Sequence, residues 1–314
     1  MKNPTGSACG KIILFGEHSV VYGHPAIAVP VTALHADVFI QPAETLVISS
    51  RNFNTEYEIL KNPLNKNETG FGLQETVLNT LKFFNLLKKQ NIHITIDSSI
   101  LPASGLGSSA AVAVAIIRAL SNYFKKKISN KDLYDLAFKT EVIYHGDPSG
   151  IDPAVIIHEK PVYFKSGKKT RLEPLKVANK IPIIIADTGV RSSTKEVVSD
   201  VKKARASDKD KYDTIFSEII PIVHRVRDVI EKGNVSELGR LMNENHELLK
   251  QIDVSSPELD LLVESAREAG ATGAKLAGAG RGGHIIALAE DNVQKISKAL
   301  VDAGASHIFF TEIV

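Results

Sequence analysis

Residues 102–111 read Pro-Ala-Ser-Gly-Leu-Gly-Ser-Ser-Ala-Ala and join an alternating stretch (Ile92, Ile94, Ile96) to an almost wholly apolar one (Ala110–Leu120). A Gly- and Ser-rich loop between a strand and a buried helix leaves backbone N–H groups free. The helix N-terminus adds partial positive charge, so such a loop can cradle phosphate oxygens. Gly105 and Gly107 permit the positive φ values that a backbone nest requires. Ser108 and Ser109 bring hydroxyls suited to capping the helix or to ligating magnesium. A loop that merely caps a helix is the plainer alternative, and the local sequence leaves it open.

Two other phosphate motifs fit less well. Gly105-Leu-Gly-Ser-Ser-Ala matches the dinucleotide pattern G-x-G-x-x-A, which also asks for an acidic residue about twenty positions on, after a second strand. That place holds Lys125, Lys126 and Lys127, and Ser129 already opens another helix. A Walker A loop needs Gly-Lys-Ser/Thr after its glycines, and none follows.

The elements that must position this loop can be read from periodicity. Lys11–Gly16, Pro25–Val31, Leu34–Gln41 and Thr45–Arg51 look extended. Leu73, Val77, Leu81 and Phe84 share one helical face, and Ile92–Ile96 alternates as a strand. The helix from Ala110 to Leu120 is apolar on nearly every side and should be buried all round. Ser129 caps a helix through Leu133, Leu136, Ala137 and Glu141. His145–Asp152 reads as a loop, with strands at Val155–Ile157 and Pro161–Phe164. A strand at Ile183–Ala186 precedes helices near 193–205, 210–231, 235–251 and 257–269, with Pro221 expected to kink or break the second. The chain ends with a glycine-rich loop at 278–283, a strand at His284–Leu288, a helix at 291–302 and a strand at His307–Glu312. This order predicts an α+β protein of two lobes, 1–180 and 181–314.

Composition narrows the class. A chain of 314 residues is too long for one small core. Its 38 Lys and Arg against 36 Asp and Glu give a net charge of +2, without the one-sided basic stripe of a nucleic-acid binder. Cys9 is the only cysteine, which excludes an internal disulfide and a CxxC zinc site. With no membrane-length apolar run and no signal-peptide pattern, the reading is cytoplasmic, with no membrane or nucleic-acid partner.

Three segments together resemble the GHMP kinase superfamily. They are the loop at 102–110, the stretch Gly10-Lys-Ile-Ile-Leu-Phe-Gly-Glu-His-Ser-Val-Val-Tyr-Gly, and Lys275-Leu-Ala-Gly-Ala-Gly-Arg-Gly-Gly. They stand in the family's order and span residues 6–288. Within the superfamily, residues 16–28 are most similar to the mevalonate kinase family. The resemblance implies an N-terminal lobe like ribosomal protein S5 domain 2 and a ferredoxin-like C-terminal lobe. It implies an ATP- and Mg2+-dependent phosphotransferase with mevalonate as acceptor, in the route to isoprenoids. Because family members often pair, it also admits a homodimer.

The same resemblance assigns roles by position. Pro102, Ala103, Ser104, Gly105, Leu106, Gly107, Ser108 and Ser109, with Gly278 and Gly280, match ATP-binding positions. Asp152, in Glu141-Val-Ile-Tyr-His-Gly-Asp-Pro-Ser-Gly-Ile-Asp, matches the catalytic base for the C5 hydroxyl, with Asp147 as a lesser rival. Lys11 matches the active-site lysine that would keep that carboxylate ionised; the bland alternative is an edge lysine facing water. Glu141 and Ser109 match the magnesium ligands. Glu17, His18 and Thr194 match positions around the acceptor, His18 as a donor.

Some positions depart from the family's pattern. Cys9 stands where the first motif usually has Pro. Ser192 stands where animal mevalonate kinases often have Arg, with Arg191 one place earlier. Arg281 replaces a small residue and is expected either to point into solvent or to clamp a phosphate. His284 also departs from the glycine motif. The rival functions are another GHMP small-molecule kinase (a phosphomevalonate, mevalonate 3-hydroxyl or sugar acceptor) and a non-catalytic metabolite sensor on the same fold.

Overall fold

The computed structural model describes residues 5–59, 63–68, 70–87, 91–102, 104–146, 148–165 and 170–314. The chain falls into two compact units that interleave in sequence: 1–10, 34–102 and 106–159 form one, and 11–33, 103–105 and 160–314 the other.

The first unit takes the later part of a long strand and packs a small sheet with four helices. Strand β1 is Gly6–Phe15 and β2 is Pro25–Pro42. Pro25–Val31 and Leu34–Gln41, read as two strands, are one. No Gly or Pro interrupts 31–34, and the chain only exposes Thr32 and Ala33 before its inside–outside alternation resumes. Strands β3 (Val47–Ser50) and β4 (Thr55–Glu58) form a hairpin, and β5 (Ile92–Ser98) pairs parallel with β3 and antiparallel with β2, Ala36 opposite Ser98.

Helices α1 (Phe71–Phe83), α2 (Ser108–Tyr123) and α3 (Asn130–His145) follow. The middle of α2 is buried on almost every face, as its Ala/Val/Ile run requires. Ser129 caps α3 by accepting from the Asp132 N–H. Residues 155–157, expected as a strand, belong to helix α4 (Ile151–His158). A short apolar run reads the same in a buried helix as in a buried strand. Gly150, left-handed at φ +82°, starts this one as a helix.

The second unit holds an antiparallel sheet in the order β11-β8-β10-β9. Its strands are β8 (Ile181–Asp187), β9 (Gly273–Ala277), β10 (His284–Leu288) and β11 (His307–Ile313). The apolar run of β8 occupies an interior position, and every residue of β9 and β10 is buried. The start of β2 also pairs with β6 (Val162–Lys165), and β6 with β7 (Arg171–Pro174). Helices α5 (Thr194–Ser207), α6 (Lys209–Lys232), α7 (Val235–Gln251), α8 (Pro257–Glu268) and α9 (Val293–Asp302) complete the unit. Helix α6 runs through Pro221 unbroken. Pro221 and Ser217, whose carbonyl loses its helical donor, are both exposed, so water can satisfy that carbonyl. No helix among the described residues is long and apolar enough to cross a membrane.

Candidate active site

The loop before α2 has the conformation that its glycines permit. Gly105 (φ +78°) and Gly107 (φ +73°) are left-handed, and Gly107 is the N-cap residue of α2. Leu106 between them is buried. Pro102 is exposed and Ser104 is buried, while Ala103 lies outside the described residues. Ser108 turns its hydroxyl back to the Ile100 carbonyl at 3.3 Å, an anchoring contact.

Ser109 does the opposite. From the first turn of α2 its Oγ donates to Glu141 Oε1 at 2.6 Å. Glu141 is buried on α3, and His145, one turn on, brings Nε2 within 3.3 Å of Ser109 Oγ and 3.7 Å of Glu141 Oε2. A hydroxyl and a buried carboxylate side by side form a hard oxygen donor pair. Such a pair fits a magnesium ion that draws its remaining ligands from phosphates and water.

Lys11 is not an edge lysine facing water. It is 5% exposed on β1, and its Nζ donates to the Gly105 carbonyl at 3.1 Å. Asp152 is not a loop residue: it sits, half-buried, in the first turn of α4, where the helix dipole favours a carboxylate. Asp147 lies outside the described residues.

In the second unit a pocket opens between Ser104–Gly105, the segment Val190–Ser192 with Thr194, and the glycine motif at 277–283. Thr194 is the exposed first residue of α5, capped by Ser193. Gly278 and Gly280 both have φ +84°. A Cβ on Gly280 would lie 1.9 Å from the Val254 carbonyl oxygen, so no side chain fits there. Ser192 donates to the Gly280 carbonyl at 2.7 Å. Arg191 is engaged by Asp187 through two bonds of 3.0 and 2.9 Å. Arg281, expected in solvent or on a phosphate, is partly exposed and held by protein groups. It pairs with Asp200 at 2.8 Å and donates to the Asp253 carbonyl at 3.1 Å.

Glu17 and His18 both reach this glycine motif. Glu17 is wholly buried and ion-paired with Lys275. Burial drives its pKa up against the pull of that ammonium. His18 Nε2 lies 2.8 Å from the Ala279 carbonyl, which can only accept, so Nε2 carries the proton. Burial holds the imidazole neutral, with its pKa down at about 4. The Nε2 proton goes to the Ala279 carbonyl, which leaves Nδ1 as an acceptor.

The comparisons with known proteins agree with these motifs. The GHMP kinases N terminal domain family matches residues 75–160, and the GHMP kinases C terminal family matches 226–306. The mevalonate kinase of Pyrococcus horikoshii is 36% identical over 321 residues, covering 97% of this chain and 94% of its own. The chain belongs to the GHMP kinases. Among other GHMP kinases, the mevalonate kinase of Methanocaldococcus jannaschii is 31% identical over 296 residues, 91% of each chain. The crystal structure of L. major mevalonate kinase in complex with R-mevalonate matches with a TM-score of 0.85 at 29% identity, over 100% of this chain and 96% of that one. As a GHMP kinase, the protein is an ATP-dependent phosphotransferase with an alcohol acceptor.

Four residues that the sequence gives no role stand beside the candidate site. Lys275, which opens the third glycine motif, holds Glu17. His145 stands four residues after Glu141, an i, i+4 spacing that puts both on one helix face. Asp187 and His284 end and begin adjacent strands, and only the antiparallel register, which sets them opposite each other, brings them together.

Proposed function

We propose that this GHMP kinase transfers the γ-phosphoryl group of ATP to the C5 hydroxyl of (R)-mevalonate, giving 5-phosphomevalonate and ADP. One observation carries the reading: the hydrogen bond from Ser109 to the buried Glu141 carboxylate, at the helix start that follows two left-handed glycines. It supports reading the two as a metal-binding pair beside a phosphate loop, the arrangement that phosphoryl transfer uses. The acceptor is argued from relatives named mevalonate kinase along the whole chain, one of them solved with R-mevalonate bound.

In this proposal the 104–109 loop and Gly278 and Gly280 bind the nucleotide. Ser109 and Glu141 would hold magnesium, which neutralises charge on the phosphates. Asp152 accepts the hydroxyl proton, Lys11 favours its ionised form, and Glu17, His18 and Thr194 line the acceptor side. A division into lobes 1–180 and 181–314 is supported by the two matched family domains, 75–160 and 226–306, each falling on one side of it, whereas the compact units place 11–33, 103–105 and 160–180 with the second. The enzyme works in the cytoplasm.

Coupled ADP release with purified protein tests the reading. Turnover is expected with mevalonate and not with phosphomevalonate or galactose. Release with either of the latter alone would reassign the acceptor, and none with any of them would reject the kinase reading.

A further inference from the structure

His145 closes a triangle with the two groups assigned to magnesium. It is the last residue of α3. Its Nε2 stands 3.3 Å from Ser109 Oγ and 3.7 Å from Glu141 Oε2, and Ser109 Oγ lies 2.6 Å from Glu141 Oε1. The i, i+4 spacing brings Glu141 and His145 onto one face of α3, whereas Ser109 comes from the first turn of α2. Three donors therefore converge from two helices. A cation at a helix C-terminus is the plain reason for a histidine in this place. It does not account for a ring nitrogen that also meets a serine of another helix, beside a buried carboxylate.

The spacing suits a metal ion. Adjacent ligands of an octahedral ion with bonds of about 2.1 Å stand about 3.0 Å apart. Separations of 2.6, 3.3 and 3.7 Å bracket that value, so small side-chain shifts would make the three atoms one face of an octahedron. Burial is graded across the cluster. The Glu141 side chain is 3% exposed and that of His145 is 55% exposed, with Ser109 between them. The carboxylate is the floor and the imidazole the rim, which leaves an entry path and room for phosphate and water ligands. A hydroxyl and a carboxylate suit hard ions such as Mg2+. An imidazole nitrogen adds affinity for softer divalent ions, in an order that rises from Mn2+ through Co2+.

We propose that His145 is a third protein ligand of this metal site, through Nε2, and that it shifts the site's preference from Mg2+ toward Mn2+ and Co2+. To ligate there, the neutral ring carries its proton on Nδ1. The inference rests on the magnesium role given to Ser109 and Glu141 above, and that role would stand without it.

Pulsed EPR of the full chain, with Mn2+ and a non-hydrolysable ATP analogue, reads the ligand directly. Wild-type protein should show a nitrogen coupling to bound Mn2+. The coupling should change when histidine alone is isotopically labelled, which separates it from the adenine nitrogens, and should vanish in His145→Leu. Bound Mn2+ without a histidine coupling, or a coupling that survives in His145→Leu, overturns the proposal. The wild-type signal decides even if the variant fails to fold. Titration of Mn2+ should show binding about tenfold weaker in His145→Leu, with a smaller loss for Mg2+. Equal losses for the two ions would overturn the proposed preference. Wild-type protein that binds neither Mn2+ nor the analogue would instead remove the kinase reading, and this inference with it.

Discussion

Lys275 and Glu17 form an ion pair across 258 positions of sequence with neither side chain exposed. The Lys275 ammonium also donates to the Leu276 carbonyl at 2.6 Å and stands 5.5 Å from the centroid of the Phe15 ring. Burial works against both charges, raising the Glu17 pKa and lowering that of Lys275. Each ion is tolerable there because the other is present. With His18 on Ala279, this pair ties the end of β1 to the motif that lines the pocket.

Lys275→Met should therefore destabilise the protein by about 3–5 kcal/mol, because it strands a buried carboxylate. The double variant Lys275→Met/Glu17→Gln should recover much of that loss. Urea unfolding of the two single variants and the double gives the coupling. If the single costs simply add, the pair is not acting as a unit.

Asp152→Asn removes a charge whose proposed use lies in the transition state, while its amide keeps the shape. Turnover should fall by about 10^2–10^4-fold with nucleotide affinity unchanged. Steady-state rates with a direct nucleotide-binding measurement separate the two effects. Turnover near the wild-type value would reject Asp152 as the base.

Much of this site was legible in the sequence because backbone chemistry carries it. Only glycine comfortably takes the left-handed conformations at 105, 107, 278 and 280, so those positions announce themselves. The N-cap at Ser129 and the buried α2 were readable for the same local reasons. The α4 helix was not, because Val155-Ile156-Ile157 is apolar whichever way it folds. Nor were the partners of Arg281 and His18. Asp200 and Ala279 are 81 and 261 positions away, and no local pattern encodes which distant group meets a buried polar atom.

Ser109→Ala and Glu141→Gln test the proposed magnesium pair. Ser109→Ala removes one oxygen of the 2.6 Å pair and Glu141→Gln replaces its charged carboxylate by a neutral amide, so each should raise the magnesium concentration needed for half-maximal rate, Glu141→Gln more because it removes charge. The Ser109 variant should fold normally, since α2 is capped through Gly107 and its buried face is untouched. Magnesium titrations of the rate at saturating ATP read the effect. Unchanged half-saturation in both variants would detach the pair from the metal.

His18 gives a pH dependence whose sign is fixed by burial. Its pKa falls from 6.5 to about 4 because burial penalises the cation more than the Ala279 carbonyl favours it. The unfolded chain therefore takes up the proton first. The contribution of His18 to stability is complete above about pH 6.5 and is lost as pH falls from there through about 4. Linkage between those two values amounts to about 2 kcal/mol on going from about pH 7.5 to about pH 5. His246, also held at about 4 by burial, adds a loss of the same sign. His18→Gln can still donate to the Ala279 carbonyl but does not titrate, so the variant should lose about 2 kcal/mol less than wild type across that interval. Glu17 and His246 are common to both proteins and cancel in the comparison. Urea midpoints at the two pH values give the difference directly. Parallel losses in the two proteins would mean that His18 carries its proton in the folded state at about pH 5, against the burial that the structure gives it.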